Sequence, residues 1–335
     1  MYSLWYAIAE YNKQVMVSTF IRIVFYIGLI LFVACKERTT KQIDSFESMG
    51  TVVYVQPGIH SHKIKNIFAR VDNDMSEWKS NSPLSIVNKS AGMQGALCPV
   101  SVVEAVQEAL SIAELTMGAF DPTWASMWNV WDFTKQQVPS LAEINALLPL
   151  VNWENVEVTG QVVSLKEKGM KLGLGGIAKG IALDDSRDAL IADGVKNFML
   201  QVGGQVLVHG DERVIGIRKP EGSPNELIGT VTLKNASIST SGNYEKFFMK
   251  DGTRYHHIID PKTGYPARGV QSVTVISQDA TLADALSTAL FVMGIKDGIT
   301  LIESLSNAEA LFIDDNNVIH QSSGFTFSIM LQMDD

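Results

Sequence analysis

A glycine-rich run near the middle of the chain has the composition of a phosphate-binding turn. Residues 173–180 read GLGGIAKG and open a segment with helical periodicity. Glycines let backbone N–H groups approach a phosphate, the first turn of a helix favours an anion, and Lys179 adds a positive charge. The run is not a P-loop, because Ala178 precedes the lysine and Gly180 follows it. Two interpretations stay open: a phosphate-binding turn, or glycines required for tight helix packing.

A carboxylate and a hydroxyl stand four residues apart in the segment TLADALST, residues 281–288. On a helix, Asp284 and Thr288 share a face. Two oxygen ligands so placed suit a hard cation such as Mg²⁺, which fills its remaining positions with water or phosphate. The spacing Thr281-x-x-Asp284 is also that of a helix-capping box. Taken alone, the segment favours the cap.

Three further segments carry side chains that can act on a nucleotide. His256 and His257 are adjacent, so on a strand only one of them faces a given site, where an imidazole can act as base or acid. The run GAFDPT, residues 118–123, offers an aromatic ring and a carboxylate suited to a planar ring and a ribose. The hydroxyl-rich run STSGNY, residues 239–244, suits a phosphate or metal site, and a turn is equally consistent with it.

Composition limits the classes of function. The chain has 335 residues, 46% of them hydrophobic, which is enough for one large domain with a substantial core. Its formal net charge of -9 argues against nucleic acid as a partner, because phosphate backbones require a basic face. The two cysteines, Cys35 and Cys98, form no C-x-x-C metal or redox pattern, and a structural disulfide is not expected.

Helices and strands are predicted without regular βαβ alternation, so we expect an α+β fold. The predicted helices span 61–80, 99–118, 141–148, 177–193, 281–293 and 296–305. The predicted strands span 48–56, 197–202, 206–208, 213–218, 228–233, 271–277, 309–313 and 317–320, with a hairpin in 155–172. We predict a single compact two-lobed domain at 46–325, followed by a C-terminal tail at 326–335.

The first 34 residues have the pattern of an export signal. Residues 23–34 read IVFYIGLILFVA and follow Arg22, a run too short for a comfortable membrane span. Cys35 comes next, so we expect a lipoprotein cleavage site with the lipid on Cys35, although Phe32 stands where leucine is usual. Met16 gives a more ordinary start to this signal peptide. Residues 36–45 then form a polar tether between the membrane and the folded domain.

Taken together and in order, these segments resemble the FAD:protein FMN transferase (ApbE, flavin transferase) family over residues 46–320. The matching pieces are 49–51, 118–123, 175–180, 202–204, 239–244, 257–264 and 283–290. The resemblance implies a Mg²⁺-dependent enzyme that transfers FMN from FAD to a Thr or Ser hydroxyl of a target protein and releases AMP. Its implied partner is a flavoprotein subunit of an exported electron-transfer system.

The resemblance also implies roles for individual residues. The FAD-contacting residues are Met49, Trp78 as the ring-stacking aromatic, Ala119, Phe120, Asp121, Lys179 and His256. The Mg²⁺ ligands are the backbone carbonyl of Gly176 with Asp284 and Thr288, and Thr281 nearby. His257 matches the histidine regarded as catalytic. Two departures are noted: Gly173 stands where the family usually has an acidic residue that contacts FAD, and Trp78 replaces the more usual tyrosine.

Two alternative functions remain open from the sequence. Water in place of a protein hydroxyl would make the chain a Mg²⁺-dependent FAD pyrophosphatase that produces free FMN and AMP. A flavin-binding lipoprotein that holds FAD without turnover is the other alternative. The presence of Lys179, Asp284 and Thr288 together argues against simple storage.

Overall fold

The computed structural model describes residues 42–223 and 225–329, and an eight-stranded sheet runs through this part of the chain. Numbered along the chain, its strands are β1 (Asp44–Ser48), β2 (Thr51–Gln56), β6 (Phe198–Val202), β7 (Gln205–His209), β10 (Ala236–Gly242), β13 (Val270–Ser277), β14 (Ala308–Asp314) and β15 (Ile319–Gln321). They lie side by side in that order, and each strand is antiparallel to its neighbours. The α+β prediction is confirmed.

Smaller sheets flank this one. Their strands are β3 (Ala96–Leu97), β4 (Val156–Thr159) and β5 (Val162–Leu165); β8 (Arg213–Arg218), β9 (Leu227–Leu233) and β16 (Ser328–Ile329); and the hairpin β11 (Phe247–Lys250) with β12 (Thr253–His256). The hairpin predicted in 155–172 is β4–β5. Because β16 pairs with β9, the packed part of the chain continues to residue 329, beyond the predicted domain end at 325.

The helices are α1 (Ser61–Met75), α2 (Pro83–Lys89), α3 (Val100–Leu115), α4 (Leu141–Leu147), α5 (Ala178–Ala192) and α6 (Ala280–Glu303). Helix α1 ends five residues before the predicted boundary, because Ser76 adopts an extended conformation. Helix α2 is absent from the predicted helices. Its start has a recognisable signal: Ser82 caps the helix by accepting from the Ser85 N–H, and Pro83 occupies the first turn.

Helix α6 forms much of the core beside the site. Its first twelve residues are buried almost all round, and it packs on β10, β13 and α5. The two helices predicted at 281–293 and 296–305 form one element with a break at Gly294, whose φ is 74°. Among the described helices, α6 is long and apolar enough to cross a membrane, but its packing is that of a core helix.

The predicted export signal and lipidation site lie outside the described residues. The signal segment at 1–34, the alternative start at Met16, Cys35 and most of the tether precede residue 42, where the described part begins. Cys98 is described, and its thiol is buried.

Candidate functional site

A cavity of about 780 Å³ opens between the glycine-rich run, α6, the end of β10 and the loop that follows α1. This volume lies within the range of ligand pockets in proteins. Ten predicted site residues line it: Met49, Trp78, Ala119, Phe120, Asp121, Gly176, Lys179, His257, Asp284 and Thr288. Residues from distant parts of the chain therefore meet at one place, whereas His256 and Thr281 are not among the lining residues.

Asp284 lies in the floor of the cavity, where α6 passes the start of α5. Its Oδ2 accepts a hydrogen bond from the Gly180 N–H at 3.2 Å. The Lys179 ammonium lies 3.4 Å from both carboxylate oxygens and donates to the Gly175 carbonyl at 3.2 Å. Burial raises the pKa of Asp284, and the charge of Lys179 opposes that shift. The Asp284 carboxylate and the Gly175 carbonyl are thus both in contact with the Lys179 ammonium.

The capping-box interpretation of Thr281 and Asp284 is wrong. Helix α6 is capped by Asp279, whose side chain accepts from the Leu282 N–H at 2.8 Å. Asp184 on α5 accepts from the backbone N–H and the hydroxyl of Thr281, each at 2.8 Å. Thr281 is therefore bound to Asp184, away from the cavity lining, and the predicted metal-ligand role for it is corrected. Asp284 takes no part in the cap and lines the cavity.

A network of hydroxyl groups lies beside Thr288. Ser241 Oγ is 3.3 Å from Thr288 Oγ1 and 2.8 Å from Ser287 Oγ. Gln205 Nε2 donates to Ser239 at 3.1 Å, while its Oε1 is buried and has no hydrogen-bond partner among the described residues. The hydroxyl-rich run at 239–244 thus covers the end of β10 and, at 243–244, the turn that follows it. Gln205 was missed because it belongs to no motif, and Ser287 was missed although it lies within the segment 281–288.

The donor set around Asp284 fits a divalent cation. A carboxylate, the Thr288 hydroxyl and the Gly176 carbonyl are hard oxygen ligands, and a single carboxylate leaves positions for water and phosphate. The ammonium of Lys179 already occupies a place between Asp284 and the turn, so positive charge is electrostatically favoured there. Within residues 42–223 and 225–329, no group of three His, Cys, Asp or Glu side chains is arranged to hold a metal without such phosphate oxygens.

His257 presents a neutral imidazole to the cavity. Its Nδ1 lies 3.2 Å from the Lys246 carbonyl, and because a carbonyl only accepts, Nδ1 carries the proton of this contact. Nε2 is then the ring nitrogen that can accept a proton. Burial lowers the pKa of His257 to about 4, and the charges of Lys246 and Lys179 act in the same direction. At neutral pH the side chain can serve as a base.

His256 does not contact the cavity, and its predicted contact with FAD is corrected. Its side chain is 2% exposed, Nε2 donates to the Ala267 carbonyl at 2.9 Å, and the ring packs edge-on against Phe291. Burial lowers its pKa to about 4. His256 is the last residue of β12 and His257 the first residue beyond it; the first ring lies in the core and the second lines the cavity.

Aromatic rings form one wall of the cavity. The centroids of Trp78 and Trp128 are 5.0 Å apart, and those of Trp124 and Trp128 are 4.6 Å apart. Phe120 lies directly on the glycine turn, since a Cβ on Gly176 would come within 2.9 Å of its ring. These surfaces are suited to a large planar ligand. Trp78 is 68% exposed, so one of its faces is available.

Asp121 lines the cavity, but its carboxylate is already used within its own loop. Oδ1 accepts from the backbone N–H and the hydroxyl of Thr123, at 2.7 and 2.6 Å, and Oδ2 accepts from the Trp153 N–H at 3.1 Å. This side chain caps the short 3₁₀ helix at Pro122–Met127. Asp121 therefore shapes the loop that carries Ala119 and Phe120, and its predicted contact with FAD stays a prediction.

Comparison with known proteins identifies the family of this chain. The family model for ApbE matches residues 49–312, which is most of the chain. The chain belongs to the ApbE family. Two ApbE relatives, each named FAD:protein FMN transferase, come from Treponema pallidum (33% identical over 75% of both chains) and Vibrio cholerae (31% identical over 83% of this chain and 89% of the relative).

Solved ApbE structures have the same fold. The ApbE protein of Thermotoga maritima superposes with a TM-score of 0.78 at 35% identity, covering 84% of this chain and 97% of that one. The flavin transferase ApbE from Vibrio cholerae gives a TM-score of 0.74 at 29% identity, with coverage of 85% and 97%. The segments that build the cavity lie within or beside the region that the ApbE model matches.

Proposed function

We propose that this protein transfers FMN from FAD to a Thr or Ser hydroxyl of a target flavoprotein, with Mg²⁺ in the site and AMP as the second product. The single observation that supports this most is the arrangement at α6. A buried carboxylate, Asp284, faces a glycine turn and a lysine at the floor of a cavity that also holds a neutral histidine. Curated relatives named FAD:protein FMN transferase support the same activity.

Different residues of the cavity bind different parts of FAD. Lys179 and the glycine run at Gly176 receive the diphosphate, because the ammonium neutralises phosphate charge and glycine allows close approach. The indole wall and Met49 receive the flavin. Gly176, Asp284 and Thr288 hold Mg²⁺, which when bound would neutralise the diphosphate and make AMP a better leaving group.

The transfer is one displacement at the phosphorus of the FMN half. The oxygen of the acceptor hydroxyl forms a bond to that phosphorus, the bond from the bridging oxygen to it breaks, and the bridging oxygen leaves with AMP. His257 Nε2 takes the proton of the attacking hydroxyl. The anionic diphosphate raises the pKa of His257 from its value of about 4, so the imidazole becomes a stronger base once FAD is bound.

The setting of this activity is proposed from the first 45 residues. An export signal followed by a lipid on Cys35 would anchor the enzyme to the cell membrane, facing the periplasm or the cell exterior. The acceptor would be the flavoprotein subunit of an exported electron-transfer system. Labelling with a radioactive fatty acid tests the anchor, because Cys35→Ser should lose the label and a Cys98→Ser control should keep it.

One experiment separates the proposal from its two alternatives. The purified protein is incubated with FAD, Mg²⁺ and a flavin-accepting protein. Flavin fluorescence on the acceptor after denaturing electrophoresis supports the transferase, free FMN and AMP indicate a pyrophosphatase, and unchanged FAD indicates a carrier. The variant His257→Gln is the matched control. It should keep FAD bound and lose transfer to the acceptor.

A further inference from the structure

Glu77 places a further carboxylate in the cavity. It lies in the loop that begins where α1 ends, next to Trp78, and it lines the cavity. Its Oε1 is 3.5 Å from where a Cβ on Gly173 would sit and 4.0 Å from the equivalent point on Gly175. The carboxylate therefore faces the glycine turn from the side of the indole wall.

This carboxylate has no cationic partner. In the described part of the chain, no lysine, arginine or histidine forms an ion pair with Glu77, although cations lie close by. Lys79 pairs with Asp72, Lys179 pairs with Asp284, and Lys246 lies over the Trp128 ring. Burial raises the pKa of Glu77. The Trp128 indole and the backbone N–H of Glu77 oppose this shift. A carboxylate has about four acceptor sites, so Glu77 can still accept a hydrogen bond from a ligand donor.

Packing at Gly173 leaves no room for a side chain at that position. A Cβ on residue 173 would lie 2.9 Å from the Cβ of Ala125, closer than real side chains approach. It would also point at the carboxylate of Glu77 and the indole nitrogen of Trp124, 3.8 Å away. Position 173 therefore excludes side chains, and the space beside the turn is filled by Glu77.

The surroundings of Glu77 indicate which part of a dinucleotide it meets. The diphosphate end of the cavity is defined by Lys179, Asp284 and Thr288. Glu77 instead adjoins Trp78, Trp124 and Trp128, whose combined surface suits the larger aromatic system, the tricyclic flavin. The flavin half offers a ring N–H and ribityl hydroxyls, all of which are donors for a carboxylate.

We propose that Glu77 is a specificity-determining residue, whose carboxylate accepts a hydrogen bond from the flavin ring or ribityl chain of FAD. The inference rests on the proposed function, since it takes FAD as the ligand of this cavity. It adds a recognition residue at a position outside every segment that led to the family resemblance. A hydrogen bond to a charged acceptor in such a site contributes roughly 10-fold or more to affinity.

Equilibrium binding without acceptor protein or added metal tests this proposal separately from transfer. FAD, FMN and ADP are titrated against the wild type, Glu77→Gln and the control Glu104→Gln on the exposed face of α3, with flavin or tryptophan fluorescence as the signal. Glu77→Gln should raise the Kd for FAD and FMN about 10-fold and leave ADP unchanged. The control should match the wild type, and both variants should melt with it, because glutamine keeps the shape of glutamate.

The other outcomes are decisive as well. Equal Kd values for FAD in Glu77→Gln and wild type overturn the inference while leaving the proposed function intact. A loss of ADP affinity with FMN unchanged also overturns it, because the carboxylate would then recognise the adenylate half. Failure of the wild type to bind FAD overturns the proposed function itself, and the inference with it.

Discussion

The packing of two helices and the geometry of the site both depend on the absence of a side chain at Gly180. It lies in the first turn of α5 and touches the start of α6. A Cβ at this position would lie 2.5 Å from the Ala280 carbonyl oxygen, 2.5 Å from Thr281 Cα and 2.7 Å from Thr281 N. All three are backbone atoms, so Gly180→Ala can be accommodated only if the two helices separate.

The size of the effect follows from these distances. An ordinary Cβ contact begins near 3.4 Å, so the helices must move apart by about 0.9 Å (3.4 − 2.5). Overpacking against backbone costs about 3 kcal/mol, and replacing a helical glycine by alanine returns about 1 kcal/mol. The net loss of about 2 kcal/mol lowers the Tm by roughly 4 °C in a protein of this size. The same movement stretches the bond from Gly180 N–H to Asp284, and displacements near 1 Å cost on the order of 100-fold in rate.

Gly175→Ala is the matched control, because Gly175 belongs to the same run and its Cβ would meet nothing closer than Glu77 Oε1 at 4.0 Å. Thermal unfolding and FAD consumption with Mg²⁺ are measured for both variants. We expect Gly175→Ala to keep the Tm within about 1 °C and to raise KM for FAD by narrowing the cavity. A Gly180→Ala protein that melts and turns over like the wild type would refute this reasoning, since the helices would then not be locked by contact.

Three further predictions concern charge. Asp284→Asn should lower turnover more than about 100-fold without lowering the Tm at pH 7. The amide oxygen can still accept the hydrogen bond from Gly180 N–H, and the negative charge that burial disfavours is removed. A lower Tm would show that the ion pair between Asp284 and Lys179 stabilises the fold. His257→Gln should lower transfer by about 100- to 10,000-fold at constant FAD affinity. Acid should destabilise the protein between pH 6.5 and about 4, because unfolded chains bind protons there at His256 whereas the folded protein does not. The loss at His256 is about 3 kcal/mol, and His257, with the same lowered pKa, adds a similar one, so His256→Gln should flatten the curve of Tm against pH by about half.

The periodic elements of the fold were predictable because local pattern and burial agree in them. Strand β13, for example, is a continuous apolar and hydroxyl run that is buried along almost its whole length. The errors lie where short polar residues decide the backbone. Ser76 ends α1 early and Ser82 starts α2, and both effects depend on single side-chain or backbone conformations within a polar stretch. The same loop carries Glu77 and Trp78, so a boundary error concealed a site residue.

The candidate site was predictable where motifs carry distinct residue types and unpredictable where roles depend on direction. Nothing in the pair His256–His257 says which ring faces the cavity, and nothing in Thr281-x-x-Asp284 says that Asp279 takes the cap. Glu77 and Gln205 belong to no motif, and only their approach to Gly173 and Ser239 brings them to attention.

The sequence alone predicted the α+β class, the family and ten of the residues that line the cavity, because glycine, paired oxygen ligands and histidine are uncommon enough in that order to mark one chemistry. Only the tertiary structure decided how the glycine run is divided. Gly180 packs against helix α6, as the packing interpretation requires, and Gly176 lines the cavity, where phosphate binding stays a prediction. The role of a glycine depends on the atoms that a side chain at its position would contact. For Gly180 these atoms belong to helix α6, about a hundred residues away in the chain, so the sequence near Gly180 does not reveal them.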